Sequence, residues 1–147
     1  SVVCYRCLSS SLTFNDRKAV FFFVRLSGSI TLNSYSIVKF NEAVINVGNH
    51  FNTGDGIFVA PVTGIYQFTW TIGTYSVETE LRVDNVVKDR SFVLASGGYI
   101  PATKVALCSV KKGDHVWIQT TGNYAANFFS RPNPGVGSTF TGMLIHY

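Results

Sequence analysis

Charge is the first thing this sequence lacks. Charged residues make up 14% of it, against roughly 25% in an average soluble protein. The polar surface must therefore come from Ser, Thr, Asn and Gly. Basic residues exceed acidic ones by twelve to eight, but Arg17, Arg25, Lys39, Arg82, Lys88, Lys104 and Arg131 are scattered. Only Lys111-Lys112 and Arg17-Lys18 stand side by side, as solvated turns do. No nucleic-acid surface is expected, although a mild attraction to acidic glycans is compatible with the charge. No apolar run approaches the roughly 20 residues that cross a bilayer, so membrane insertion is not expected. Ser1 to Cys7 lacks the basic start and long apolar stretch of a signal peptide; if secreted, the chain is expected to be the processed form. There is no Asn-x-Ser/Thr sequon, no Gly-x-y register and no heptad pattern.

Cysteine is also scarce, and its count of three is odd. Cys4 and Cys7 form a single Cys-x-x-Cys without the second pair of a zinc ribbon or the βαβ context of a thioredoxin-like site. They are read as tail thiols that bond each other or a neighbouring chain. Cys108 lies in an apolar run and is expected to be a buried free thiol. The three histidines, His50, His115 and His146, stand far apart, and none sits in a nucleophile-elbow context. A Gly-rich phosphate loop, a His-x-x-x-His and paired carboxylates are missing as well. Asp55 and Asp114 read as turn residues. An enzyme is not expected.

Aromatics are what the chain has in abundance: twelve Phe, seven Tyr and two Trp. With many Val and Thr they favour strands over helices. Residues 1–16 read as a Ser-rich tail, and 17–147 as one domain of short strands separated by turn signals. From Gly64 onward, Tyr66, Phe68, Trp70 and Ile72 alternate with Gln67, Thr69 and Thr71, a period of two that places an aromatic row on one sheet face. Leu81 and Val83 alternate with Glu80, Arg82 and Asp84, giving an apolar and a charged face. Asp84-Asn85 predicts a tight hairpin. Lys111 to Asp114 predicts a turn leading into Val116, Ile118 and Thr120 on one face, with Trp117 and Gln119 on the other. Trp70 and Trp117 are expected to be packing residues. The last run, Thr139 to Tyr147, is expected to be a central strand, because an edge so apolar would invite aggregation. Long loops are expected at 27–35, 49–56 and 123–137.

Phe40, Asn46, Phe51, Phe58, Gly64, Tyr66, Phe68 and Trp70 stand at the intervals of the C1q globular domain signature. Trp70 departs mildly from it, where the family has Phe or Tyr. Pro61-Val62-Thr63-Gly64, Gly113-Asp114-His115-Val116-Trp117 and Ser138-Thr139-Phe140-Thr141-Gly142 are also similar to the family's text. The resemblance runs from Ala19 to Tyr147. It implies an all-β jelly-roll β-sandwich of two antiparallel sheets, shared with tumour necrosis factor and built as a homotrimer whose head-to-tail interfaces close into a ring. A stand-alone head of this type resembles invertebrate secreted proteins, which implies an extracellular location. Cys4 and Cys7 could then link trimers into higher oligomers.

The resemblance also leaves calcium open as a cofactor. Some relatives bind it through an Asp before the strand that here contains Leu81, whereas this chain has Ser76 there, with Glu78 and Glu80 nearby. The recognition cluster singled out is Tyr124, Asn127, Arg131 and Asn133 in the long loop. A tyrosine stacks on the apolar face of a sugar, while Asn and Arg bond its hydroxyl or acid groups. The expected function is a carbohydrate-binding pattern-recognition lectin of innate immunity that meets microbial surfaces. The alternatives are an extracellular matrix-assembly module or a cytokine-like ligand.

Overall fold

The computed structural model describes residues 19–74, 76–94, 97, 100–123, 127–128 and 137–147. Twelve strands lie among the described residues: β1 Phe21–Arg25, β2 Ile30–Thr31, β3 Glu42–Val47, β4 Phe51–Asn52, β5 Ile57–Val59, β6 Gly64–Thr74, β7 Ser76–Val83, β8 Val86–Leu94, β9 Ile100–Val110, β10 His115–Thr120, β11 Asn127–Phe128 and β12 Thr139–His146. All strand pairs are antiparallel. One sheet runs β3-β1-β12-β6-β9, with β11 and then β2 joined at the Thr74 end of β6. The other runs β4-β5-β10-β7-β8. The chain passes between the sheets at β3–β4, β5–β6, β6–β7, β8–β9, β9–β10 and β10–β11, as in a jelly roll.

The expected aromatic row faces inward. Tyr66, Phe68, Trp70 and Ile72 are all buried. They meet Phe22 and Phe140 of their own sheet, Phe51 and Phe58 of the other, and Phe40 from the segment before β3. Phe22 sits about 5 Å from the rings of Phe51, Phe58 and Phe140. Gly142 of β12 lies between Phe22 of β1 and Phe68 of β6 in register, and both rings cover it so closely that a Cβ there would collide with Phe22. Gly64 is equally constrained, because a Cβ would strike the carbonyl oxygen of His146. The end of β12 therefore leaves room only for glycine at this position.

β12 is central, held by β1 on one side and β6 on the other. Val83 pairs with Val86, so Asp84-Asn85 forms a two-residue hairpin with Asp84 at φ 50°. Three expected loops contain short strands instead of irregular chain only: β2 within 27–35, β4 within 49–56 and β11 within 123–137. The face of β7 expected to be charged is so, yet Glu80 is only 3% exposed. Long side chains from β7, β8 and β10 cover it. Trp117 is half-buried on that outer face, where its indole N–H donates to Oε1 of Gln119 at 2.8 Å.

Candidate functional site

Two surfaces stand out, and each follows from strand register. The first is the outer face of the β3-β1-β12-β6-β9 sheet. Successive strand partners form one row of Val47, Phe21, Met143, Gln67 and Leu107. A second row, two residues along, runs Ile45, Phe23, Thr141, Thr69 and Val105. Neither row contains a charge. Its outer members are open to solvent: Leu107 at 66%, Val105 at 53%, Val47 at 44% and Ile45 at 41%. The next row begins with the Arg25–Glu42 ion pair at 2.8 Å, which marks where the uncharged face ends. An uncharged face across five strands, apolar on both outer strands, is characteristic of a contact surface.

The second is a groove of about 720 Å³ between the β4 loop, the end of β5 and the β9–β10 turn. Asn46 of β3 fixes one wall. Its amide donates to the Phe51 carbonyl at 2.8 Å and accepts from the Phe51 N–H at 3.1 Å. The turn is locked to β5, with Gly113 N–H donating to the Ala60 carbonyl at 2.8 Å and Ala60 N–H to the Asp114 carbonyl at 3.0 Å. Lys112 N–H donates to Thr63 Oγ1 at 2.9 Å. His50, Asn49, Asn52, Thr53 and Lys112 line the opening.

The two carboxylates near the calcium position of relatives, Glu78 and Glu80, are engaged by side chains. Glu80 Oε1 accepts from Arg82 at 2.9 Å and Gln119 at 2.9 Å, while its Oε2 accepts from Arg90 at 3.2 Å. Glu78 Oε2 accepts from Asn123 at 3.2 Å. Calcium takes six to eight oxygens, and carboxylates spent on two arginines do not fit that need. No group of three or more His, Cys, Asp or Glu that could hold a metal occurs among the described residues.

Of the sugar-binding candidates, Tyr124, Arg131 and Asn133 lie outside the described residues, as do Cys4 and Cys7. Asn127 is placed by its backbone, paired with Thr31 in β11. The histidines do not converge. His50 belongs to the groove, His115 Nδ1 stands 3.4 Å from Asp84 Oδ1, and His146 pairs with Ile65. Cys108 is a buried free thiol, and burial pushes it above the usual thiol range. Sequence reasoning missed both surfaces. Lys112 was read only as half of a turn, and Val105 and Leu107 sit in a continuous apolar run whose outward side only register reveals.

This geometry agrees with the comparisons. The C1q domain model matches residues 20–145, and the chain belongs to that family. It is 32% identical over 111 residues to mouse (Mus musculus) complement C1q tumor necrosis factor-related protein 2, covering 74% of this chain and 37% of that protein. It is 31% identical over 121 residues to mouse complement C1q and tumor necrosis factor-related protein 9, covering 74% of this chain and 33% of that protein. The chain thus spans little more than a third of the length of these relatives. In structure it resembles the globular domain of zebrafish complement 1qA, with a TM-score of 0.73 at 20% identity over 86% of this chain and 97% of the other. Eiger TNF from S. frugiperda shares the fold at a TM-score of 0.63 and 13% identity, over 88% of this chain and 94% of the other.

Proposed function

We propose that this chain is a secreted, non-enzymatic recognition head that assembles as a homotrimer and binds carbohydrate on microbial surfaces. The observation that carries the reading is the pair of uncharged rows spanning β3, β1, β12, β6 and β9. A face with Leu107 and Val105 more than half exposed is stabilised when a second copy covers it. A head-to-tail contact of this kind closes into a ring of three. Three copies of one weak sugar site then act together, which raises avidity without new contacts. The long loop with Tyr124, Asn127, Arg131 and Asn133 supplies stacking and hydrogen-bonding groups for such a site. Cys4 and Cys7 would tie trimers into larger assemblies.

The test combines analytical ultracentrifugation with a glycan array and a bacterial-binding assay, each run with and without calcium. A trimer at micromolar concentration that binds sugars is the expected result. A monomer, or a trimer that binds cells with no carbohydrate dependence, refutes it. A second reading, a receptor ligand, draws on the tumor necrosis factor-related names of the relatives. Capture of a cell-surface receptor with no glycan bound would select it.

A further inference from the structure

We infer that the groove between the β4 loop and the β9–β10 turn is a binding site for an acidic oligosaccharide. The inference rests on the carbohydrate reading and adds a second contact, separate from the long loop. Its first support is size. About 720 Å³ lies within the roughly 300–1,000 Å³ of small-ligand sites and accommodates two to three sugar rings.

The second support is rigidity. Asn46 clamps Phe51 through both sides of its amide, and the Lys112–Gly113 turn is pinned to Ala60 and Thr63 by backbone donors. A groove whose walls are held without ligand loses little ordering entropy on binding.

The third support is chemistry. Asn49, Asn52 and Thr53 offer amide and hydroxyl groups of the kind that pair with vicinal sugar hydroxyls. Val59 and Pro61 offer an apolar patch for the C–H face of a ring. Lys112 supplies a positive charge, His50 adds a ring nitrogen, and no Asp or Glu is among the described residues that line the groove. Three acids close to it in sequence are engaged: Asp55 Oδ1 accepts from Ile57 N–H and Asp114 Oδ2 from Lys111 N–H, both at 2.9 Å, and Glu42 pairs with Arg25. A lone cation among neutral donors selects a sugar bearing a carboxylate or a sulfate.

The test is titration calorimetry on the whole chain with 3′-sialyllactose, a heparin-derived sulfated tetrasaccharide and neutral lactose. Binding is measured for the parent chain, for Lys112→Ala and Asn49→Gly, and for Lys88→Ala, which removes an exposed cation of β8 away from the groove. Asn49 has φ 58°, so glycine keeps its backbone at ease, and the exposed Lys112 can be shortened without touching the core. Melting curves verify folding of each variant. The expected result is preference for an acidic probe, weakened about tenfold or more by Lys112→Ala, weakened by Asn49→Gly and unchanged by Lys88→Ala. The two acidic probes distinguish carboxylate from sulfate. Acidic-sugar binding indifferent to Lys112→Ala overturns the groove. Binding of lactose alone overturns it too, while leaving the carbohydrate reading intact. Failure to bind any sugar, on this panel and on the array, refutes both.

Discussion

The indole N–H of Trp70 donates to Oγ1 of Thr79 at 2.9 Å, across the interior from one sheet to the other. Both residues are sealed from water, at 0% and 1% exposure. The bond satisfies a donor that no water can reach. Thr79→Val keeps the shape but leaves the indole unpaired, and should destabilise the fold by about 1–3 kcal/mol. With Trp70→Phe the donor is gone, so Thr79→Val should then cost much less. Urea unfolding of the two single variants and the double variant measures the coupling; additive losses would show that the bond contributes nothing.

Gly142 makes a steric prediction. The rings of Phe22 and Phe68 occupy the space a side chain would need. Gly142→Ala should therefore lose about 1–3 kcal/mol by overpacking. A smaller, ringless side chain at position 22, in the variant Phe22→Leu with Gly142→Ala, should recover part of that loss relative to the two single effects summed. A thermal midpoint unchanged by Gly142→Ala would contradict the arrangement.

The uncharged face predicts assembly behaviour that separates from folding. Leu107→Asp acts on a side chain 66% exposed in the protomer, where substitutions change intrinsic stability by about 0.5 kcal/mol or less. It should shift the sedimenting species from trimer to monomer while the circular dichroism spectrum stays the same. A variant that remains trimeric would place the contact elsewhere.

Arg25 and Glu42 close that face at its charged border. The hydrogen bond from Arg25 holds the Glu42 carboxyl below the usual carboxylate range. A carboxyl depressed in the folded chain contributes stability above its unfolded pKa, and that contribution is lost as pH falls through the folded value. Both groups are solvent-facing, so the effect is small. An NMR titration should find Glu42 below the usual glutamate range, and Arg25→Gln should return it toward that range.

Cys108 offers a chemical check on burial. Desolvation raises its pKa, with Lys88 and Asp89 acting in opposite directions. The thiol should resist alkylation at neutral pH in the native chain and react once the chain is unfolded in guanidinium. Fast labelling of the native state at this position would mean that β9 is not packed as described.

Much of this architecture could be read from residues alone. The Tyr66–Trp70 alternation fixed a buried face because the polar partners Gln67, Thr69 and Thr71 leave only one side for the core. Asp84-Asn85 marked its hairpin because Asp tolerates the positive φ found there. β9 was harder. Ala106 and Cys108 point inward while the larger Val105 and Leu107 point out, so hydrophobicity alone could not assign the sides. Glu80 was read as surface charge, since burial by Arg82, Arg90 and Gln119 depends on three strands meeting. The groove was hidden for the same reason: Asn46, His50 and Lys112 are brought together by β-pairing, not by spacing.

The absence of charge from the Leu107 and Val105 rows has a consequence for where such an oligomer survives. Salt screens attraction between ions, but it has nothing to screen here, so the stoichiometry should hold in brine as well as in dilute buffer. Cold is the condition that tests it, because burial of apolar surface loses its driving force as temperature falls. Any grip on anionic sugar should show the opposite pattern, loosening with added electrolyte while the ring of subunits stays whole.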